Sequence, residues 1–155
     1  MTADSTVKSD LLTTFFLCIT SVLWVIWGLV HVLACVMTIS RDTPQAVQGI
    51  ADAVDPVTLE MLYPDAVGAI VNQHGFNLLW IGAVTTICAP FIWQQRKPAI
   101  ALAALVGGLT DLGYFLYLDL GGHVHFIPGT VMTLICAAAI ICSAIVWRRL
   151  PRAAC

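Results

Sequence analysis

Residues 11–38 read LLTTFFLCITSVLWVIWGLVHVLACVMT, a run with no Asp, Glu, Lys or Arg. A bilayer core takes about 20 apolar residues of helix, so this run is long enough to cross one. Residues 71–93, 99–118 and 126–147 have the same character, each stopped by a polar or glycine-rich break. The chain of 155 residues is 59% hydrophobic and only 10% charged, whereas a soluble domain carries roughly a quarter charged residues. The expected fold is an all-α integral membrane protein, a single membrane domain over 1–155 with four transmembrane helices in a bundle. Membrane lipid is then its surroundings. The net charge of −2 offers no basic surface, which argues against nucleic acid as a partner.

The first run is not a cleaved leader on this reading. Lys8 precedes it and Val32-Leu33-Ala34-Cys35 is similar to a lipoprotein cleavage site, but Asp4 and Asp10 interrupt the basic leader. The run also far exceeds the roughly 7–15 residues of a signal core. The six cysteines (Cys18, Cys35, Cys88, Cys136, Cys142 and Cys155) form no CxxC pair. Five lie within apolar segments, where cysteine packs as a small polarisable side chain.

Positive charge sets an expected orientation. Lys8 precedes the first span, Arg96 and Lys97 join the second to the third, and Arg148, Arg149 and Arg152 follow the fourth; only Arg41 falls on the other side. The positive-inside bias puts the N- and C-termini in the cytoplasm, in what is expected to be a bacterial inner membrane. The outer segment between the first two spans is acidic, with Asp42, Asp52, Asp55, Glu60 and Asp65. Thr43-Pro44 and Asp55-Pro56 both read as helix starts. Val47, Ile50, Ala51 and Val54 recur at helical spacing. A short amphipathic two-helix hairpin over about 43–64 is therefore expected on the outer face, with Pro64 ending its second helix.

Polar residues show which faces turn inward. Ser21, Trp24, Gly28, His31, Cys35 and Thr38 follow one another by three or four and share one face of the first span. Ala103–Gly107 and Ala104–Gly108 are small-residue pairs four apart, and Asp111 continues that face. Small and polar residues mark contacts between membrane helices, because there helices associate by close approach and hydrogen bonding. The second span opens with Asn72, Gln73 and His74, followed one turn on by Asn77. At about 1.5 Å per residue His31 lies roughly 10 Å outside its midpoint, level with His74. Asp111 lies slightly outside the middle of its span, and Asp119, His123 and His125 lie at the outer boundary.

Ionisable groups in hydrocarbon are costly and commonly mark a site. His31, His74, Asn77 and Asp111 are the expected polar pocket, opening outward, which either packs the bundle or takes a small ligand such as a quinone, a lipid or another apolar molecule with a polar head. The expected function is that of a non-enzymatic polytopic protein, as an oligomer or a subunit of a larger membrane assembly. The alternative is a redox or enzymatic protein holding a transition metal or haem through His31 and His74, with Asp119 and His125 as further metal ligands. In the haem version, Gly28 and Gly75 leave room for a flat macrocycle. No nucleophile motif, phosphate loop or dinucleotide-binding glycine run is present.

The orientation is checked by labelling. In a cysteine-free background, single cysteines at positions 49 and 122 are expected to react with an impermeant thiol reagent in intact cells, and one at position 96 only after permeabilisation. Labelling of position 96 from outside would reverse the topology.

Overall fold

The computed structural model describes residues 3–51 and 57–151. The described chain is all-helical: α1 is Ala3–Ile39, α2 Thr43–Ala51, α3 Val57–Glu60, α4 Asp65–Trp93, α5 Lys97–Tyr114 and α6 Val131–Arg149. Four segments are long and apolar enough to cross a membrane: Leu11–Ile39, Asp65–Trp93, Lys97–Asp119 and Val131–Arg149.

Two boundaries differ from the sequence expectation. The helix expected from residue 71 begins at Asp65, and Pro64 stands at its N-cap position with φ −58°. Pro64 thus precedes a long helix instead of closing a short one. Its fixed φ fits that position and Asp65 favours the positive end of the helix dipole. The other difference is at the last span, where regular helix starts only at Val131. The preceding turn, Phe126–Thr130, is widened and broken at Ile127, whose φ −117° and ψ 124° are extended. A residue before proline is pushed out of the α region, and Pro128 follows it. Of the hairpin, the structure describes α2 and the single turn α3; the Asp55-Pro56 start signal and Val54 lie outside the described residues. In α2 Ala46 is buried, at 1% exposure, one position before Val47; the side chains of Ile50 and Ala51 lie outside those described.

The four long helices pack as a ring in the order α1, α4, α5, α6. A tight turn joins α4 to α5. There Gln95 takes a left-handed φ of 63°, and the amides of Gln95 and Arg96 donate to Ile92 and Phe91 at 2.8 and 2.9 Å. These two bonds cap the last carbonyls of α4 in a Schellman arrangement. This turn, with Arg148 and Arg149, marks the basic end of the bundle; α2, α3 and the Gly121-Gly122 turn mark the distal end.

The closest helix pair is α1 and α4. A Cβ on Gly28 would run into Thr86, the Gly82 carbonyl and Thr85, and a Cβ on Gly82 would run into the Gly28 carbonyl. A turn or two further on, Gly75 receives Thr38 and Ile39. The missing side chains let the two backbones touch, and the threonine hydroxyls bond back to their own helices, Thr85 and Thr86 to Gly82 and Thr38 to Ala34. Small-residue contact of this kind holds helices together where no water drives them.

Two indoles fill the centre. Trp24 and Trp27 are both 0% exposed and meet edge to face with ring centroids 5.9 Å apart. Trp24 lies in the space that a side chain at Gly107 would take and donates through Nε1 to the Ser143 hydroxyl of α6 at 3.0 Å. One side chain of α1 thereby reaches α5 and α6. Apolar residues complete the core toward the basic end, among them Leu17, Ile92, Ile100 and Val146. There Lys97 lies over Trp147 and Arg149 over Phe16. Large apolar side chains such as Leu33, Leu105, Leu109 and Leu134 cover the outside of the bundle.

Gly82→Leu forces α1 and α4 apart, with an expected loss of about 2 kcal/mol or more from overpacking. Thermal unfolding in detergent should show a fall of several degrees for Gly82→Leu and none for Gly113→Ala, because a Cβ at Gly113 meets nothing within 4 Å.

Candidate functional site

Toward the distal end the ring opens into a cavity of about 490 Å³. Its wall comes from all four long helices, with Gly49 of α2 at the edge. The lining is largely apolar and aromatic, including Val30, Leu78, Ile81, Trp80, Tyr114, Tyr117 and Met132. The polar members are His31, His74, Asn77, Thr110 and Asp111. The four pocket residues expected from the sequence thus share one cavity.

The inner wall is built from α1 outward. The Trp27 Nε1 donates to Asp111 Oδ1 at 3.2 Å, linking α1 to α5 across the bundle. His31 lies one turn along and stacks on the Trp27 ring, with centroids 3.7 Å apart and planes 27° apart. Its Nδ1 lies 2.8 Å from the Trp27 carbonyl oxygen. A carbonyl only accepts, so Nδ1 carries the proton and the neutral ring keeps a lone pair on Nε2. A single indole therefore supports both the imidazole, through its face and carbonyl, and the carboxyl, through its N–H.

Asp111 is 7% exposed. Its Oδ2 is buried and has no hydrogen-bond partner among the described residues; the Cys136 thiol lies beside the carboxyl. Among the described residues neither Lys nor Arg contributes to the lining. A carboxyl group in this position has one firm donor, Trp27, and no countercharge in the cavity wall.

His74 and Asn77 face the cavity from α4. The Asn77 Oδ1 accepts from Trp80 Nε1 at 3.2 Å, which leaves its amide hydrogens for another partner. His74 lines the same cavity as His31. Thr110 is turned to its own helix and donates to Val106 at 2.8 Å.

The remaining polar residues are placed elsewhere. Asp119 accepts from Thr130 at 2.6 Å and from Thr133 at 2.7 Å. It ties the end of α5 to the start of α6. The chain reaches it through a widened turn, Phe115–Asp119, in which the Leu120 amide bonds Phe115 five residues back at 3.0 Å. His123 and His125 are exposed in the connection beyond. His31, His74, Asp119 and His125 are not gathered, and no group of three or more His, Cys, Asp or Glu suited to a metal ion occurs among the described residues. The clearance expected at Gly28 and Gly75 for a macrocycle is taken up by α4 and α1 themselves, through Thr86 and Gly82 at one and Thr38 and Ile39 at the other.

Sequence reasoning missed Trp27. It belongs to the i−4, i relation with His31 and the i, i+3 relation with Trp24, so it borders the polar stripe; a wider stripe would have included it.

No protein-family model matches the chain, and no curated protein or solved structure is significantly similar to it. A functional reading therefore rests on the cavity.

The Trp27–Asp111 pair is tested by replacing each partner and then both. Asp111→Asn keeps an acceptor for the indole and is expected to leave detergent stability nearly unchanged. Asp111→Leu strands a buried donor, at an expected cost of about 1–3 kcal/mol. Trp27→Phe with Asp111→Leu removes both partners and should lose less than the sum of the singles, by about 1 kcal/mol in a double-mutant cycle. Strict additivity would deny the bond its part in stability.

Proposed function

We propose that this chain is a small multi-pass membrane protein that binds a small, mainly apolar molecule in its distal cavity, and that it acts by binding and not by catalysis. The observation that carries the reading is the cavity: about 490 Å³, within the range of roughly 300–1,000 Å³ typical of small-molecule sites. It combines apolar walls with a few convergent polar groups, as such sites do. His31, His74, Asn77 and Asp111 fix the polar end of the ligand, and the aromatic and aliphatic walls take its body. On the charge bias of the loops, both termini lie in the cytoplasm of a bacterial inner-membrane protein and the cavity faces outward. The helix α2 and the turn α3 then lie on the outer face as an amphipathic hairpin, with α2 at the cavity edge. The protein acts as an oligomer or as a subunit of a larger membrane assembly, which fits its small size.

A second reading, a metal- or haem-binding redox protein, draws on one observation. The Nδ1 of His31 bonded to a carbonyl and Nε2 left with a lone pair is the arrangement in which histidine serves as a metal ligand. His74 on the same cavity would be its partner. The two readings separate in one preparation. A Soret band or stoichiometric metal in the purified protein, lost in both His31→Ala and His74→Ala, would favour the second.

The first reading is tested by filling the cavity. Gly113 lines it, and a Cβ there meets nothing within 4 Å. Gly113→Phe is expected to leave the bundle folded and to remove any small molecule that co-purifies with the wild type, as read by native mass spectrometry of protein released from detergent. A ligand retained in Gly113→Phe at wild-type occupancy would place binding outside this cavity.

A further inference from the structure

We infer that the cavity selects a protonated amine carried on an apolar body, with the ammonium group meeting Asp111; this rests on the ligand-binding reading above and specifies the class of ligand.

The hydrogen-bonding inventory comes first. At the inner wall, the groups whose state the geometry fixes are acceptors. His31 uses its Nδ1 proton on the Trp27 carbonyl, so its Nε2 accepts. The Asp111 carboxylate offers about four lone-pair sites, and the structure supplies one N–H donor, from Trp27. The Thr110 hydroxyl proton is given to Val106. Acceptors call for a ligand that donates. An ammonium donates through every N–H it carries, whereas a quinone or other carbonyl compound only accepts; it would find donor hydrogens at Asn77 on α4 but none at Nε2 or the carboxylate of the inner wall.

Charge selects the same class. Among the described residues, Asp111 is the only acidic member of the lining, and none is Lys or Arg. A carboxylate within an apolar wall is best matched by a cation that arrives with its own apolar body, because pairing then removes both charges from an unfavourable setting. Trp80, Tyr114 and Tyr117 add ring faces along the wall, and a cation near such a face gains a further electrostatic attraction. An anionic ligand meets no Lys or Arg among the described lining residues.

The same inventory separates a simple amine from an amine-bearing phospholipid headgroup. The headgroup brings a phosphate within a few ångströms of its ammonium. The cation near the cavity edge is Arg41, whose guanidinium lies 3.9 Å from the Cβ position of Gly49. It is not itself a lining residue. No Lys or Arg among the described lining residues is placed to pair a phosphate beside an ammonium on Asp111. The inference is therefore a singly charged lipophilic amine.

The test uses matched probes on the full chain in detergent: decylammonium, decanol and decanoate, followed by isothermal titration calorimetry with detergent-only blanks. The wild type is expected to bind decylammonium at least ten-fold more tightly than decanol, and decanoate not measurably. Asp111→Asn, which keeps its Trp27 partner, should lose the preference and bind decylammonium and decanol alike. Gly113→Phe should bind none of the three. Equal affinity of the wild type for decylammonium and decanol, with binding of both lost in Gly113→Phe, would overturn the amine inference and leave the cavity as a binding site. Binding of all three probes unaltered by Gly113→Phe would overturn the inference and the ligand-binding reading together. In a final arm, phosphatidylethanolamine in bicelles competes with decylammonium. Failure to compete supports a free amine, and competition as strong as that of decylammonium itself overturns the restriction to singly charged ligands.

Discussion

Hydrocarbon gives apolar helices no reason to leave it for one another, so a bundle in lipid depends on how closely its backbones approach. In this chain that approach occurs at Gly28 and Gly82, where α1 and α4 meet without side chains between them. Everything built on α1 inherits its position from that contact. Trp24 and Trp27 project from the same stretch of helix into the middle of the ring, one lying over Gly107 and bonded to Ser143, the other bonded to Asp111. Through those indoles α1 is tied to the two remaining helices. The cavity forms where the indoles end, one turn further along, at His31.

The chemistry of the cavity follows from this order of construction. Trp27 is fully buried and serves two neighbours, holding His31 by stacking and through its carbonyl, and Asp111 through its N–H. Second-layer groups that fix the tautomer of an imidazole and the rotamer of a carboxyl are what distinguish a site with defined directions from a merely polar hole. His74 and Asn77 come from α4, the helix that the glycine contact places most firmly against α1.

Much of this was legible in the sequence, for particular reasons. Apolar length alone marks the four spans, since no other arrangement hides so many uncharged residues. The spacing of Ser21, Trp24, Gly28, His31, Cys35 and Thr38 put one face of α1 inward, and Trp24, Gly28, Cys35 and Thr38 are indeed buried. Asp111 was placed on the packed face by the small residues one turn before it. What was not legible depends on pairings across long separations. Trp27 and Asp111 are 84 residues apart, and an indole in an apolar helix looks like any other large side chain. Asp119 read as an alternative metal ligand because it lies in the outer polar layer with the histidines. The widened turns on either side of the α5–α6 connection instead carry it to Thr130 and Thr133. Gly28 and Gly75 read equally well as room for a cofactor or as room for a helix, and only the position of α4 decides between them.

The two ends of the bundle are unequally braced. Near the middle, α1 and α4 are in backbone contact and the indole pair locks α5 and α6 to them. At the distal end, α5 ends and α6 begins in irregular turns, which two threonine hydroxyls tie together through Asp119. Segments with few buried contacts and irregular backbone bonds open locally, while amides next to the tightest packing exchange with solvent only when the whole fold opens. Hydrogen exchange would then grade along the molecule, slowest around Gly28 and Gly82 and fastest across residues 115–130. A molecule approaching the cavity from that end meets the part of the bundle that yields by fluctuation, and reaches His31 and Asp111 while the glycine contact and the indoles beneath them stay closed.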